Sequence, residues 1–176
     1  MDVELRPATP ADIEACATIW VEARRAAHRG VIPDADLDRP VEDRLPEWRT
    51  VLTDRPGSTL LVATRGTEVV GFAWFGPRFT LEGGAALEEQ AGQLYLLFVS
   101  PERWGTGVAD ALFGAAIEAL ARDFEVLTLW TLEENPRARR FYERHGWAAD
   151  GARELHPFGD TYLPEVRYRA PRPSMR

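Results

Sequence analysis

Apolar and polar positions follow two periods along this chain, and segments of each period alternate. Residues 3–6 read as a short strand. Thr9 caps a helix with Pro10 at its first position and Asp12 as the answering acid, and Ile13, Cys16, Ala17 and Trp20 recur at helical spacing to about Arg25. Residues 31–40, with Pro33 and several aspartates, form a loop or broken helix; residues 41–53 resume a helical pattern through Leu45, Trp48 and Leu52 until Arg55-Pro56-Gly57 stops it. Residues 58–65 and 68–79 then pair as an antiparallel hairpin around Gly66-Thr67.

The second half repeats strand and helix signals in turn. Residues 80–91 are a polar, glycine-containing connection that leads into residues 93–99, almost wholly apolar after Gln93, as suits a strand buried on both faces. Val108, Ala111, Leu112, Ala115 and Ala119 mark one face of a buried helix, and residues 125–131 form another interior strand. Asn135 and Pro136 open a helix as N-cap and first residue, Ala138, Phe141, Tyr142 and His145 share one face, and Gly146 suits its left-handed end. Residues 147–155 and 165–169 are closing strands. The order predicts one α/β domain over residues 3–169, with 170–176 as a short tail.

The candidate chemistry sits where the apolar strand meets the helix, in Ser100-Pro101-Glu102-Arg103-Trp104-Gly105-Thr106-Gly107-Val108-Ala109-Asp110. Two glycines let successive N–H groups converge, and the helix N-terminus behind them adds positive potential, so the loop reads as an anion cradle for a pyrophosphate. A P-loop is excluded because it needs lysine, and all 21 basic residues here are arginine. A dinucleotide fingerprint is disfavoured because Asp110 stands where its third glycine belongs. A tight strand-to-helix turn without a ligand is the remaining alternative on this loop alone.

Trp104, Gly107 and Ala109, with Gly105 between, resemble the acyl-CoA loop of the GNAT N-acetyltransferases, with Trp104 in place of the usual Gln or Arg. The block from Asn135 through Ala138, Phe141-Tyr142 and Gly146-Trp147 resembles that family's other hallmark, and the resemblance spans roughly residues 3–169. It implies the GNAT acyltransferase fold, a mixed sheet of six or seven strands flanked by helices, and acetyl-CoA as cofactor. It further implies a strand ending at Leu97, Phe98 and Val99 that splays from its neighbour and pairs with the pantetheine arm, with an N–H there polarising the thioester. Arg103, Trp104, Gly105, Thr106, Gly107, Val108 and Ala109 would form the cradle, Asn135 would touch the cofactor, and Tyr142 would be both cofactor contact and catalytic acid toward the leaving sulfur.

Resemblance places Gln93 where many relatives carry a glutamate base, and an amide takes up no proton at neutral pH. Asp160, Glu165 and Glu22 are the carboxylate candidates for that role, and a water chain is another route. The acceptor pocket is expected from residues 24–48, the 80–91 connection and a turn at 158–164. Arg24, Arg25, His28 and Arg29 are either a carboxylate-binding cluster or a solvated helix face.

A hydrophobic fraction of 45% argues against disorder, and a net charge of −7 disfavours nucleic acid or an anionic membrane as partner. Cys16 has no disulfide partner and reads as core, while His28, His145 and His156 lack metal-like spacing, so no metal is expected. Without a leader-like start or a membrane-length apolar run, the chain is expected to be cytoplasmic. The expected activity is direct acetyl transfer from acetyl-CoA to the amine of a small molecule or a peptide. O-acetyl or longer-chain acyl transfer, and a non-catalytic acyl-CoA sensor, are the alternatives; the oligomeric state is open, a homodimer included.

Overall fold

The structure, a computed structural model, describes residues 3–50, 56–78 and 91–170. Seven strands and five helices follow one another: β1 (Glu4–Pro7), α1 (Ile13–His28), α2 (Asp34–Leu37), α3 (Leu45–Thr50), β2 (Thr59–Arg65), β3 (Glu68–Pro77), β4 (Ala91–Val99), α4 (Val108–Leu120), β5 (Val126–Leu132), α5 (Pro136–Arg144), β6 (Ala148–Phe158) and β7 (Thr161–Arg169). They form one sheet of order β1-β2-β3-β4-β5-β7-β6, antiparallel except at β4–β5. Alternation along β2 and β3 sends Val62 and Phe72 to a layer with Ile13, Cys16 and Trp48, and sends Ala63 and Ala73 to the opposite layer with Leu112, Phe113 and Trp147. Cys16 is fully buried, and that burial pushes its thiol up to about 12, as a core residue rather than a nucleophile.

Several boundaries differ from the sequence reading. The helix expected over 41–53 begins only at Leu45, because Pro46 has no N–H with which to continue a ladder from Glu42; Leu52 and Thr53 lie outside the described residues. Residues 31–40 do contain a helical turn, α2. The buried face of α4 is Val108, Leu112, Phe113, Ala116 and Leu120 rather than the alanine row, since the larger side chains take the core. The closing strands extend into one long hairpin with only Gly159-Asp160 between them, so no broad turn spans 158–164. Pro157 is tolerated because β6 is an edge strand, and Pro164 lies just past the last β5–β7 rung, Leu132 opposite Glu165. Most of the 80–91 connection and nearly all of the 170–176 tail lie outside the described residues.

β4 and β5 pair only from Ala91–Val126 to Leu94–Leu129. Beyond that point Tyr95 is an extra residue against β3, whose Phe75 and Trp74 face Leu94 and Leu96, and such a bulge turns the strand away from its former direction. β5 instead continues against β7 through Trp130, Thr131 and Leu132. The sheet therefore opens into a wedge. This corrects the expectation of a fully buried strand: Tyr95 to Phe98 are only half-buried because they line the opening.

Candidate active site

The loop after β4 is shaped by two left-handed glycines, Gly105 at φ +76° and Gly107 at φ +87°, where a Cβ would be strained. α4 starts immediately afterwards, and its first ladder bond runs from the Ala111 N–H to the Gly107 carbonyl. The N–H groups of Val108 and Ala109 consequently have no partner within the helix. The side chain of Val108 is buried in the core, so this residue offers the groove only its backbone.

This loop forms one wall of a groove of about 720 Å³. Leu97, Phe98 and Val99 supply the strand edge, Arg103, Trp104, Gly105, Thr106, Gly107 and Ala109 the cradle, and Asn135 and Tyr142 the facing helix. Every cofactor residue expected from sequence lies at the groove except the Val108 side chain. Trp104 is accounted for: its indole N–H donates to the Val99 carbonyl at 2.9 Å, closing the loop against the end of β4. Its ring carries the Arg137 guanidinium 3.7 Å from the centroid.

Sequence reasoning missed the cations of α5. Arg137, Arg140 and Arg144 line the groove; Arg144 is tied to Asp110 at 2.8 Å, while neither Arg137 nor Arg140 has an acidic partner among the described residues. The signal was present as basic residues three and four apart on a helix with no acid in its first turn. The groove thus offers converging N–H donors, two uncommitted guanidiniums and an unpaired strand edge, which suits an elongated polyanion with a peptide-like arm.

α5 holds its functional side chains by its ends. Asn135 accepts from the Ala138 N–H at 3.0 Å, the predicted cap, and its amide nitrogen makes no bond among the described residues. At the other end the Trp147 and Gly146 N–H groups donate to Tyr142 and Glu143 at 3.1 and 2.9 Å, with Gly146 at φ +80°. Tyr142 packs against Phe113 and Tyr168 with ring centres 5.8 and 6.0 Å away. Its hydroxyl makes no hydrogen bond among the described residues, and burial pushes its pKa above the ordinary phenol value.

A second cavity of about 220 Å³ fills the wedge between β4 and β5. Its walls include Trp20 and Arg24 of α1, Trp130 and Thr131 of β5, and His156, Phe158 and Glu165 of the β6–β7 hairpin. It shares His28, Leu97, Phe98, Asn135, Ala138 and Tyr142 with the groove, so the two spaces meet at these residues. Gln93 lines neither space. It sits on the paired part of β4, opposite Gly76 and Thr128.

Among the carboxylates considered from sequence, Glu22 and Asp160 are exposed and outside both spaces, whereas Glu165 lies in the second cavity with its side chain 16% exposed. Burial, and secondarily Glu154 across the β6–β7 rung, push Glu165 up to about 7. His156 Nδ1 is 4.0 Å from Glu165, and ligand atoms of Glu154, His156 and Glu165 lie within 4.8 Å of one another. Histidine spacing alone hid this cluster, because the hairpin assembles it. His28 is buried with no partner for Nδ1 among the described residues, and burial, then Arg24, lower it to about 4.

The basic cluster of α1 is largely neutralised from within. Arg29 pairs with Asp34 and Asp38 at 2.8 and 2.5 Å; Arg25 donates to the carbonyls of Leu37 and Arg39; Arg24 pairs with Asp36 at 2.7 Å. Among the described residues, no helix is long and apolar enough to cross a membrane.

Comparison with known proteins agrees with this architecture. Residues 18–147 match the family model described as Acetyltransferase (GNAT) family. A protein of Archaeoglobus fulgidus described as an uncharacterised N-acetyltransferase is 30% identical over 146 residues, covering 80% of this chain and 89% of its own. The PaiA N-acetyltransferase of Thermoplasma acidophilum, solved in complex with coenzyme A, superposes with TM-score 0.66 at 13% identity over 94% of this chain and 98% of its own. YncA of Salmonella typhimurium, solved with its cofactor acetyl-CoA, gives TM-score 0.70 at 19% identity over 100% and 97%. With the family model matching residues 18–147 and a relative 30% identical over most of both chains, this chain belongs to the GNAT acetyltransferase family.

Proposed function

We propose that this protein is an acetyl-CoA-dependent N-acetyltransferase that passes the acetyl group directly to the amine of a small molecule while both substrates are bound. The observation that carries the reading is Tyr142, which stands at the junction of the two spaces with an uncommitted hydroxyl. The groove fits the cofactor on its own chemistry: the N–H groups at the start of α4, with Arg137 and Arg140, would hold the phosphates, and the open edge of Leu97–Val99 would pair with the pantetheine arm. When bound, acetyl-CoA supplies an acetyl thioester.

The chain's part is then to hold both substrates and move protons. An acceptor amine enters as an ammonium and must lose a proton before its lone pair is free; Glu165, at about 7, is ionised often enough at neutral pH to take it on a carboxylate oxygen. Tyr142 enters the step protonated, because burial disfavours the phenolate, and would donate that proton to the coenzyme A sulfur as the C–S bond breaks, the second proton shed by the newly bonded nitrogen restoring the phenol. Leu97 and Phe98 with the Tyr142 ring give the junction apolar walls, which strengthens both effects.

The test is thiol release with acetyl-CoA against a panel of amines, in the wild type and in Tyr142→Phe. We expect turnover in the wild type and a fall of about 10²-fold in kcat for Tyr142→Phe, with acetyl-CoA affinity unchanged by calorimetry. Cofactor binding without release of thiol to any amine would overturn the enzymatic reading.

A further inference from the structure

The buried charges beside the second cavity do not balance. Arg24, Asp36 and Arg44 form a triad whose side chains are only 7–9% exposed: one oxygen of Asp36 accepts from Arg24 at 2.7 Å and the other from Arg44 at 2.5 Å. Two guanidiniums share one carboxylate. Arg44 is not among the residues that line the cavity, and a further bond ties it to the Asp36 carbonyl. Arg24 lines the cavity, lies 4.1 Å over the Trp20 ring, and uses a single terminal nitrogen on Asp36; no other hydrogen bond from its guanidinium forms among the described residues. A buried guanidinium with most of its donors open toward a cavity is an anion site.

The opposite charge stands further along the same wall. From Arg24 to the Phe158 ring is 5.7 Å, from Phe158 to His156 5.2 Å, and from His156 to Glu165 4.0 Å. The small cavity therefore carries a cationic end at Arg24 and an acidic end at Glu165, with aromatic rings between. The geometry points to an acceptor that bears a carboxylate as well as its amine: an amino acid or amino-acid-like molecule whose carboxylate lies on Arg24 while its ammonium faces Glu165. This rests on the acetyltransferase reading above and narrows its substrate class. The neighbouring arginines do not compete for the carboxylate, since Arg25 and Arg29 are committed to Asp34, Asp38 and main-chain carbonyls.

Two measurements test it on the full chain. The first compares kcat/KM of the wild type for α- and straight-chain ω-amino acids against the carboxamide of each skeleton. We expect the best acid to exceed its amide by roughly 10- to 100-fold, the range of a buried charge-assisted pair. In Arg24→Met, which keeps a long side chain over Trp20, that ratio should collapse to within a few fold. The variant should fold because Arg44 still holds Asp36, and thermal melting checks this. The second measurement needs no turnover: quenching of Trp20 and Trp130 fluorescence by the N-acetylated amino acid and its amide, with coenzyme A present. Carboxylate-dependent binding lost in Arg24→Met supports the site even if no amine is acetylated, an outcome that would overturn only the enzymatic reading. Equal binding and equal turnover of acid and amide by the wild type would overturn the carboxylate assignment.

Discussion

Arg137 stacks 3.7 Å above the Trp104 ring while the Trp104 indole N–H is spent on the Val99 carbonyl. The residue at the loop entrance thus contributes as a platform, and the charge that would meet a phosphate belongs to α5.

Arg137→Gln should weaken acetyl-CoA binding about tenfold, with a shallower dependence on salt, because one charge-assisted contact is removed. Trp104→Ala should weaken it less. Gly107→Val should have the largest effect, since φ of +87° strains any β-branched residue and turns the cradle's N–H groups away. Titration calorimetry on folded variants measures all three. Unchanged affinity in Gly107→Val would remove the cradle from the cofactor site.

Asn135 separates cap from cofactor contact. Asn135→Asp keeps an oxygen for the Ala138 N–H but replaces the free amide donor with negative charge beside the groove. The melting temperature should hold within a few degrees while KM for acetyl-CoA rises several-fold. A variant with wild-type KM would leave Asn135 a cap alone.

If Glu165 takes the proton of the acceptor ammonium, it should set the pH dependence of turnover. With its carboxyl pushed up to about 7, kcat should climb through neutral pH and level off above it, as the proton acceptor becomes ionised. Glu165→Gln should lose that limb and fall about 10²- to 10⁴-fold, with cofactor affinity intact. A retained limb near 7 in Glu165→Gln would assign it to another group.

His28 and Glu165 should act oppositely on stability. Folded His28 resists protonation until about 4, whereas the unfolded imidazole takes a proton below about 6.5, so its contribution is present above 6.5 and lost as pH falls toward 4. Glu165 stays protonated in the fold to about 7 but ionises near 4.5 when unfolded, so its contribution is present below 4.5 and lost as pH rises through 7. Each is worth of order 3 kcal/mol, and they largely cancel between pH 4.5 and 6.5. His156, also lowered by burial, acts in the direction of His28. Denaturant titrations should show stability falling with pH across this window in His28→Gln and rising in Glu165→Gln; flat profiles in both would contradict the two environments.

The cofactor half of this protein is local in sequence, which is why the chain reveals it. Gly105, Gly107 and the start of α4 are contiguous, and Asn135, Tyr142 and Gly146 are spaced by one helix, so backbone conformation and helical period suffice to place them. The proposed acceptor half exists only in three dimensions. Arg24, Trp130, His156 and Glu165 come from α1, β5 and the closing hairpin, and they meet because β4 bulges at Tyr95 and parts from β5 beyond Leu94. Likewise the arginines of α1 look like a binding cluster in the sequence, and only the fold of 34–38 against that helix decides which are neutralised. Arg24 and Glu165 owe their chemistry to burial and to neighbours remote in the chain, and desolvation depends on the packed surroundings rather than on residue order.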